Sequence, residues 1–347
     1  MPNEKETTNV AEGGISAVAT TRKLTPVGFI LKYNALVLLL ILIMVSSLMS
    51  PMFLSYMNIV NVFRQQSTYL IVAMGLMICM SAGGVDLSLA TTIGLGCCML
   101  TEFNMVYKMD IAVSMLLVVL LCGAVGAVNG VLVAYLKMQP FIVTLCMSFA
   151  LTGVVYLVTK GVNRQFTGAG AVLSDSLKTF LVFGQEVDPL LGMPWIIYLA
   201  LVVIVAAWFT MKYTAFGRLM TATGSNPMAA ILAGIDIRKY RLAGHIIAST
   251  MAGVSGIVIA ARTGSSAPST ITGDYTMIAI AATIIGGSSL NGGSGSVPFS
   301  VVGIFVMGLI NNIMNLSNIP AYPQYIVKAI VIIMAIFARS LIDSKKD

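Results

Sequence analysis

The chain has 347 residues, of which 58% are hydrophobic and 10% charged, with a net charge of +7 and a mean hydropathy of +0.94. Soluble globular proteins carry about 45–50% apolar and about 25% charged residues, so these charges are too few to cover a soluble surface of this length. A cytosolic enzyme, a disordered chain and a disulfide scaffold are excluded, and an all-α polytopic membrane protein is expected.

Residues 1–32 open the chain as a polar tail with Glu4, Lys5, Glu6 and Glu12. They lack the apolar core of a signal peptide and read as cytoplasmic. A membrane-crossing helix needs about 20 mostly apolar residues. The region 33–341 offers ten such segments: 33–53, 67–82, 88–103, 111–136, 139–159, 193–212, 242–261, 275–290, 296–317 and 321–341. The second and third are short and meet at Gly83-Gly84-Val85-Asp86, so they also read as one broken or re-entrant element. The eighth runs into a turn built on Gly286 and Gly287. Residues 342–347 form a second short tail, also expected in the cytoplasm.

Cation placement orients the spans. With the N-terminus inside, 13 of the 20 Lys and Arg residues fall on the cytoplasmic side and 6 outside, while Lys328 lies within the last span and is expected to snorkel outward. The net positive charge therefore speaks of orientation in lipid, and nothing points to nucleic acid. Two loops are long: 160–192 outside and the basic 213–241 inside. A faint repeat relates Gly126-Ala127-Val128-Asn129 to Gly308-Leu309-Ile310-Asn311, five spans apart. The odd offset makes it an inverted repeat of two five-helix halves, a common transporter plan.

Within the inner loop, Asn226 can cap a short helix, Pro227 suits its first turn and Gly234 can end it. Its small apolar body, with Ala229 and Ala230, fits either a partner's groove or the protein's own cytosolic face. Asp86 is a carboxylate at membrane depth, which invites a pathway role; the alternative is that Asp86 or Ser88 caps the third helix. Asn129, Asn311 and Asn312 are amides in apolar helices, available for interhelical hydrogen bonds or for a polar solute. Gly126 and Gly130 have the spacing of a close helix contact. The five cysteines lie in apolar stretches without metal-ligand spacing and read as buried packing residues; no metal is expected. Gly253-Val254-Ser255-Gly256 imitates a serine-protease motif, but the one histidine, His245, sits about 15 Å away along the same helix. No catalytic residue is assigned.

Several of these segments, in order, resemble the permease subunits of ABC importers for simple sugars, the ribose, xylose, arabinose and galactoside group. Gly83-Gly84-Val85-Asp86-Leu87-Ser88 matches that group's GG(I/V)DLS signature. Asn129-Gly130 followed by Pro140-Phe141-Ile142-Val143-Thr144-Leu145 matches its NG…PFIVTL run. Ile280-Ala281-Ala282 followed by Ile285-Gly286-Gly287-Ser288-Ser289-Leu290 matches its IAA…IGG(T/S)SL run, and the segment from Gly224 to Gly234 resembles its coupling loop. The resemblance implies a non-enzymatic membrane pathway in a bacterial plasma membrane, formed with a second permease copy or a sister chain. It implies a cytosolic ATPase docked on Gly224, Asn226, Pro227, Ala229, Ala230 and Gly234, and an extracytoplasmic sugar-binding protein. ATP would be used by that partner; this chain holds no P-loop and is expected to bind no cofactor. Asp86, Asn129, Asn311 and Asn312 are its pathway candidates, and Gly83, Gly84, Gly286 and Gly287 its structural turns. A stand-alone secondary transporter or channel for a small polar solute is the alternative. The departures from the group's pattern are losses of charge, at Met228, Thr152, Ser294, Thr276 and Ile278.

Overall fold

A computed structural model describes residues 34–167, 174–189 and 192–343. The expected tail 1–32 lies outside the described residues, as do 168–173, 190 and 191 of the outer loop and 344–347 of the second tail. Helix stands at each of the ten expected positions. These are α1 (Asn34–Met49), α2 (Tyr56–Ser81), α3 (Leu89–Thr101), α4 (Ile111–Ala134), α5 (Pro140–Thr159), α7 (Trp195–Tyr213), α10 (Ile237–Thr263), α11 (Tyr275–Ile285), α12 (Val297–Leu316) and α13 (Ala321–Asp343). The remaining helices, α6 (Asp175–Gln185), α8 (Ala215–Ser225) and α9 (Pro227–Leu232), lie in the two long loops.

Not every one of these ten helices is by itself both long and apolar enough to span a membrane. Six helices among the described residues are long and apolar enough to cross a membrane: α3 with the π-turn that extends it to Val106, and α4, α5, α7, α10 and α12. α11 has 11 residues and stops at Ile285, short of the expected 290. α2 is longer than expected, because its polar residues before Ser67 are helical. α10 likewise begins at Ile237, five residues before the expected start. The inner loop 213–241 is therefore mostly helix, and the outer loop 160–192 contains α6.

Local chemistry explains these boundaries. Ser55 caps α2 by accepting from Asn58 N at 3.3 Å, and Asp110 caps α4 by accepting from Ala112 N at 2.8 Å. Pro140 opens α5, where its missing N–H costs nothing. α6 buries Leu177, Phe180, Leu181 and Gly184, the i, i+3, i+4, i+7 pattern of a helix lying on a core.

The core is organised around α10, which packs on α2, α3 and α4. Small residues set the closeness. A Cβ at Gly126 would fall 2.8 Å from Ile246 Cα, and one at Gly130 would fall 2.9 Å from Leu242 Cα. Helices in lipid gain their association from such intimate backbone contact. Gly253 meets Cys122 of α4 and Gly256 meets Cys97 of α3. The protease-like motif is thus a packing stripe, and Ser255 Oγ donates to Thr68 O at 3.2 Å. Cys79, Cys97, Cys98 and Cys122 are buried as expected, whereas Cys146 on α5 is exposed.

Connections sort to two ends. At one, Ser176 Oγ donates to Asp110 Oδ2 at 2.6 Å, Tyr56 OH donates to Gly192 O at 2.9 Å, and Arg164 pairs with Glu102. There too, strands β1 (Arg164–Gln165) and β2 (Ser265–Ser266) pair antiparallel, Arg164 opposite Ser266. At the other end, the turns after α2, α8 and α11 meet. Each group joins loops that the cation count places on one side of the membrane.

Candidate functional site

The helix α9 forms as its signals require. Asn226 Oδ1 accepts from Ala229 N at 2.9 Å, and Pro227 occupies the first turn. At its far end Gly234 N donates to Ile231 O and Ile235 N to Ala230 O, both at 2.9 Å. This double bond pattern needs a left-handed residue, and Gly234 has φ +78°. Gly83 ends α2 and Gly287 ends α11 in the same way, with φ +81° and +88°. Only Ala230 of α9 is buried; Met228, Ile231 and Leu232 project outward, with Leu232 83% exposed.

Behind α9, three loops meet backbone to backbone. Gly293 N donates to Ser81 O at 3.1 Å, and Ser225 Oγ donates to Gly293 O at 3.1 Å. A Cβ at Gly292 would lie 2.8 Å from Gly83 Cα and 3.0 Å from Gly224 Cα. A Cβ at Gly224 would strike Ser81 O and Gly293 N. The helix that carries α9 is therefore seated directly on the ends of α2 and α11. Gly286 abuts the Phe299–Ser300 backbone and lets α12 start close beneath α11.

Just inside this junction, Asp86 is fully buried. Its Oδ1 accepts from Ser88 N at 2.8 Å and from Ser88 Oγ at 2.6 Å. Its Oδ2 faces Ser249 Oγ at 3.4 Å, Asn129 Nδ2 at 3.4 Å and His245 Nδ1 at 3.5 Å. Asn129 also donates to Ser88 Oγ at 3.1 Å. The buried start of α3 is satisfied from several elements. Leu87 N donates to Thr144 Oγ1 of α5 at 3.0 Å, and Ala90 N to Thr276 Oγ1 of α11 at 2.8 Å. Ser88 occupies the cap position, but its side chain makes no capping bond, so of the two expected caps only Asp86 acts on this turn. Gly84 is held against Cys79 and His245, where a Cβ would stand 2.8 Å from Cys79 Sγ.

The four polar pathway candidates fall into two places. Asp86 and Asn129 share the buried network. Asn312 lies at the opposite end of the bundle, exchanging hydrogen bonds with Asn58 of α2 at 2.8 and 3.1 Å. Asn311 beside it has a buried Oδ1 with no partner. Lys328 does not simply snorkel: its Nζ donates to Asp274 Oδ2 at 2.6 Å, and Tyr69 OH donates to Asp274 Oδ1 at 3.1 Å. Two departures from the family pattern lie inside the core. Thr276 and Ile278 are both buried, and the neutral Thr276 hydroxyl accepts from Ala90 N.

Sequence reasoning missed the partnership of His245 with Asp86, since 159 residues separate them. It also missed the contact of Asp274 with Lys328. The only prior signal for either was the rarity of ionisable residues in the spans.

A family model described as "Branched-chain amino acid transport system / permease component" matches residues 58–336. The chain is 33% identical over 321 residues to the ribose import permease protein RbsC of Escherichia coli K12, covering 92% of this chain and 95% of that one. It is 30% identical over 309 residues to RbsC of Bacillus subtilis, covering 89% and 91% respectively. It is 31% identical over 320 residues to the D-allose transport system permease protein AlsC of Escherichia coli K12, covering 90% and 92%. No solved structure matches the chain.

Proposed function

The chain belongs to the branched-chain amino acid transport system / permease component family, and from that premise we propose that it is the membrane permease of an ATP-driven importer carrying a ribose-like monosaccharide. The observation that carries this reading is identity to ribose import permeases along nearly the whole chain. A cytosolic ATPase supplies the energy, an extracytoplasmic binding protein delivers the sugar, and a second copy or sister chain completes the pathway. This chain binds no cofactor of its own. The cation excess around 212–241 favours a cytoplasmic α9 end, with both termini on the cytoplasmic side of the bacterial plasma membrane.

The ATPase docks on α9 through the segment containing Gly224, Asn226, Pro227, Ala229, Ala230 and Gly234. Support comes from the outward-facing Met228, Ile231 and Leu232 on a helix whose two ends are fixed by its own residues. Of the polar candidates, Asn311 and Asn312 stand toward the sugar-receiving end, while Asp86 and Asn129 act by fixing α3 and α4 around the pathway. The inverted repeat draws support from lengths. α1 to α5 have 16, 26, 13, 24 and 20 residues. Their counterparts α7, α10, α11, α12 and α13 have 19, 27, 11, 20 and 23.

A stand-alone secondary transporter would need an ionisable group that the coupling ion can reach. The Asp86–His245 pair is sealed from solvent and Lys328, though partly exposed, is already neutralised by Asp274, which disfavours that reading.

The test is reconstitution in liposomes with a cytosolic ABC ATPase and a sugar-binding protein from the same organism. ATP-dependent uptake of labelled D-ribose, D-allose or D-galactose is expected. Ala230→Arg should abolish uptake while the ATPase still hydrolyses ATP; unchanged uptake by that variant would sink the coupling assignment.

A further inference from the structure

The outer half of α2 carries a polar stripe that the fold accounts for only in part: Arg64 Nη2 donates to Gln185 O at 2.8 Å and Tyr69 OH to Asp274 Oδ1 at 3.1 Å, which leaves Asn61, Gln65 and the Thr68 hydroxyl unexplained. Asn61, Arg64, Gln65, Thr68 and Tyr69 recur at i, i+3, i+4, i+7 and i+8, so they share one helix face. That face lines a cavity of about 350 Å³, closed on its other side by Arg262 at the end of α10 and Tyr275 at the start of α11. The cavity lies at the end of the bundle opposite α9. Its size is at the lower end of small-molecule pockets, about 300–1,000 Å³.

The lining has unmet hydrogen-bonding capacity. Thr68 is 1% exposed, yet its Oγ1 has no partner, and neither does the buried Nε of Arg64. Burying such groups without partners is costly, so a polar occupant is favoured. Asn61 and Gln65 are exposed and bring amides that both donate and accept. Tyr69 and Tyr275 stand with ring centroids 5.0 Å apart at 30°, forming an apolar wall next to these donors. Tyr69 is fixed by its bond to Asp274, which Lys328 holds from behind. The lining contains two guanidinium groups and no carboxylate, so a cationic solute is repelled.

From this juxtaposition we propose that the cavity between α2, α10 and α11 is a monosaccharide subsite on the import pathway. The ring's C–H face rests on Tyr69 and Tyr275, and its hydroxyls bond Asn61, Arg64, Gln65 and Thr68. The assignment rests on the proposed function and supplies residues for it. It also explains why α2 keeps a polar outer half that costs hydropathy.

The test uses the full chain in a Cys146→Ser background, since the other four cysteines are buried. Gln65→Cys is labelled with a water-soluble methanethiosulfonate reagent, with and without excess D-ribose. Protection by D-ribose, or by whichever monosaccharide the reconstituted wild type imports, is expected. Protection by phosphate or sulfate alone would overturn the assignment in favour of an anion site. In the reconstituted importer, Tyr275→Ala and Thr68→Val should each lower uptake at saturating sugar by about tenfold, the equivalent of one lost hydrogen bond or stacking contact. If the wild type imports sugar while Tyr275→Ala imports it equally fast and labelling of the Gln65→Cys variant is unprotected, the subsite is wrong and the parent reading stands. If the wild type imports no monosaccharide, the parent reading falls and this assignment falls with it.

Discussion

Asp86 Oδ2 and His245 Nδ1 face each other across 3.5 Å, both fully buried, joining the turn after α2 to the first third of the core helix α10. Around them Ser88, Asn129 and Ser249 supply further donors to the same carboxylate. Removing one member of a buried network strands the others. Asp86→Ala should destabilise the protein by about 3–5 kcal/mol, read as a lowered unfolding midpoint in a denaturing-detergent titration. His245→Ala should cost less, because Asp86 retains its Ser88 donors. Equal midpoints for wild type and Asp86→Ala would show that the network carries no stability.

Gly224 has no room for a side chain between Ser81 O and Gly293 N. Gly224→Val forces the three loops apart and should cost about 1–3 kcal/mol by overpacking. In the reconstituted importer, sugar moved per ATP hydrolysed should fall even at temperatures where the variant remains folded. A variant with wild-type stability and wild-type stoichiometry would contradict the tight seating of α8.

The cap of α9 is separable from its outer face. Asn226→Ala loses the bond to Ala229 N, worth about 1 kcal/mol. Hydrogen exchange in the amides of 229–232 should accelerate by roughly fivefold, with Asn226→Asp close to wild type. Leu232→Glu should leave exchange and unfolding unchanged but abolish co-purification of the ATPase. Retained co-purification would place the docking surface elsewhere.

Lys328 and Asp274 form a pair with limited solvent access, their side chains 14% and 25% exposed. Lys328→Met leaves the carboxylate with Tyr69 alone and should lower the thermal unfolding midpoint. Adding Asp274→Asn should restore part of that loss, since it removes the uncompensated charge. Strict additivity of the two changes would mean that the pair is not coupled in the folded protein.

What was legible in the sequence was local. Asn226, Pro227 and Gly234 announce α9 because capping depends on residues within one turn. The positions of the apolar helices follow from hydropathy for the same reason. The start of α2 was obscured because Asn61, Arg64, Gln65 and Thr68 read as loop to a hydropathy window, although they form one helix face. The start of α10 was hidden in the same way by Arg238, Lys239 and Arg241. Contacts such as Asp86 with His245 and Lys328 with Asp274 were out of reach, because they depend on how helices far apart in the chain are laid together. Asn312 with Asn58 belongs to the same class.

The junction of Gly83, Gly224 and Gly292 contains almost no side-chain information. Parts that mesh through bare backbone can be exchanged without rewriting the surface they mesh with. On the docking role proposed for α9, its outward-facing residues are therefore free to drift toward a new motor, while the seat beneath them stays fixed. Grafting the 227–233 segment of a sister permease onto this chain is, on that logic, a practical way to retarget it to a foreign ATPase.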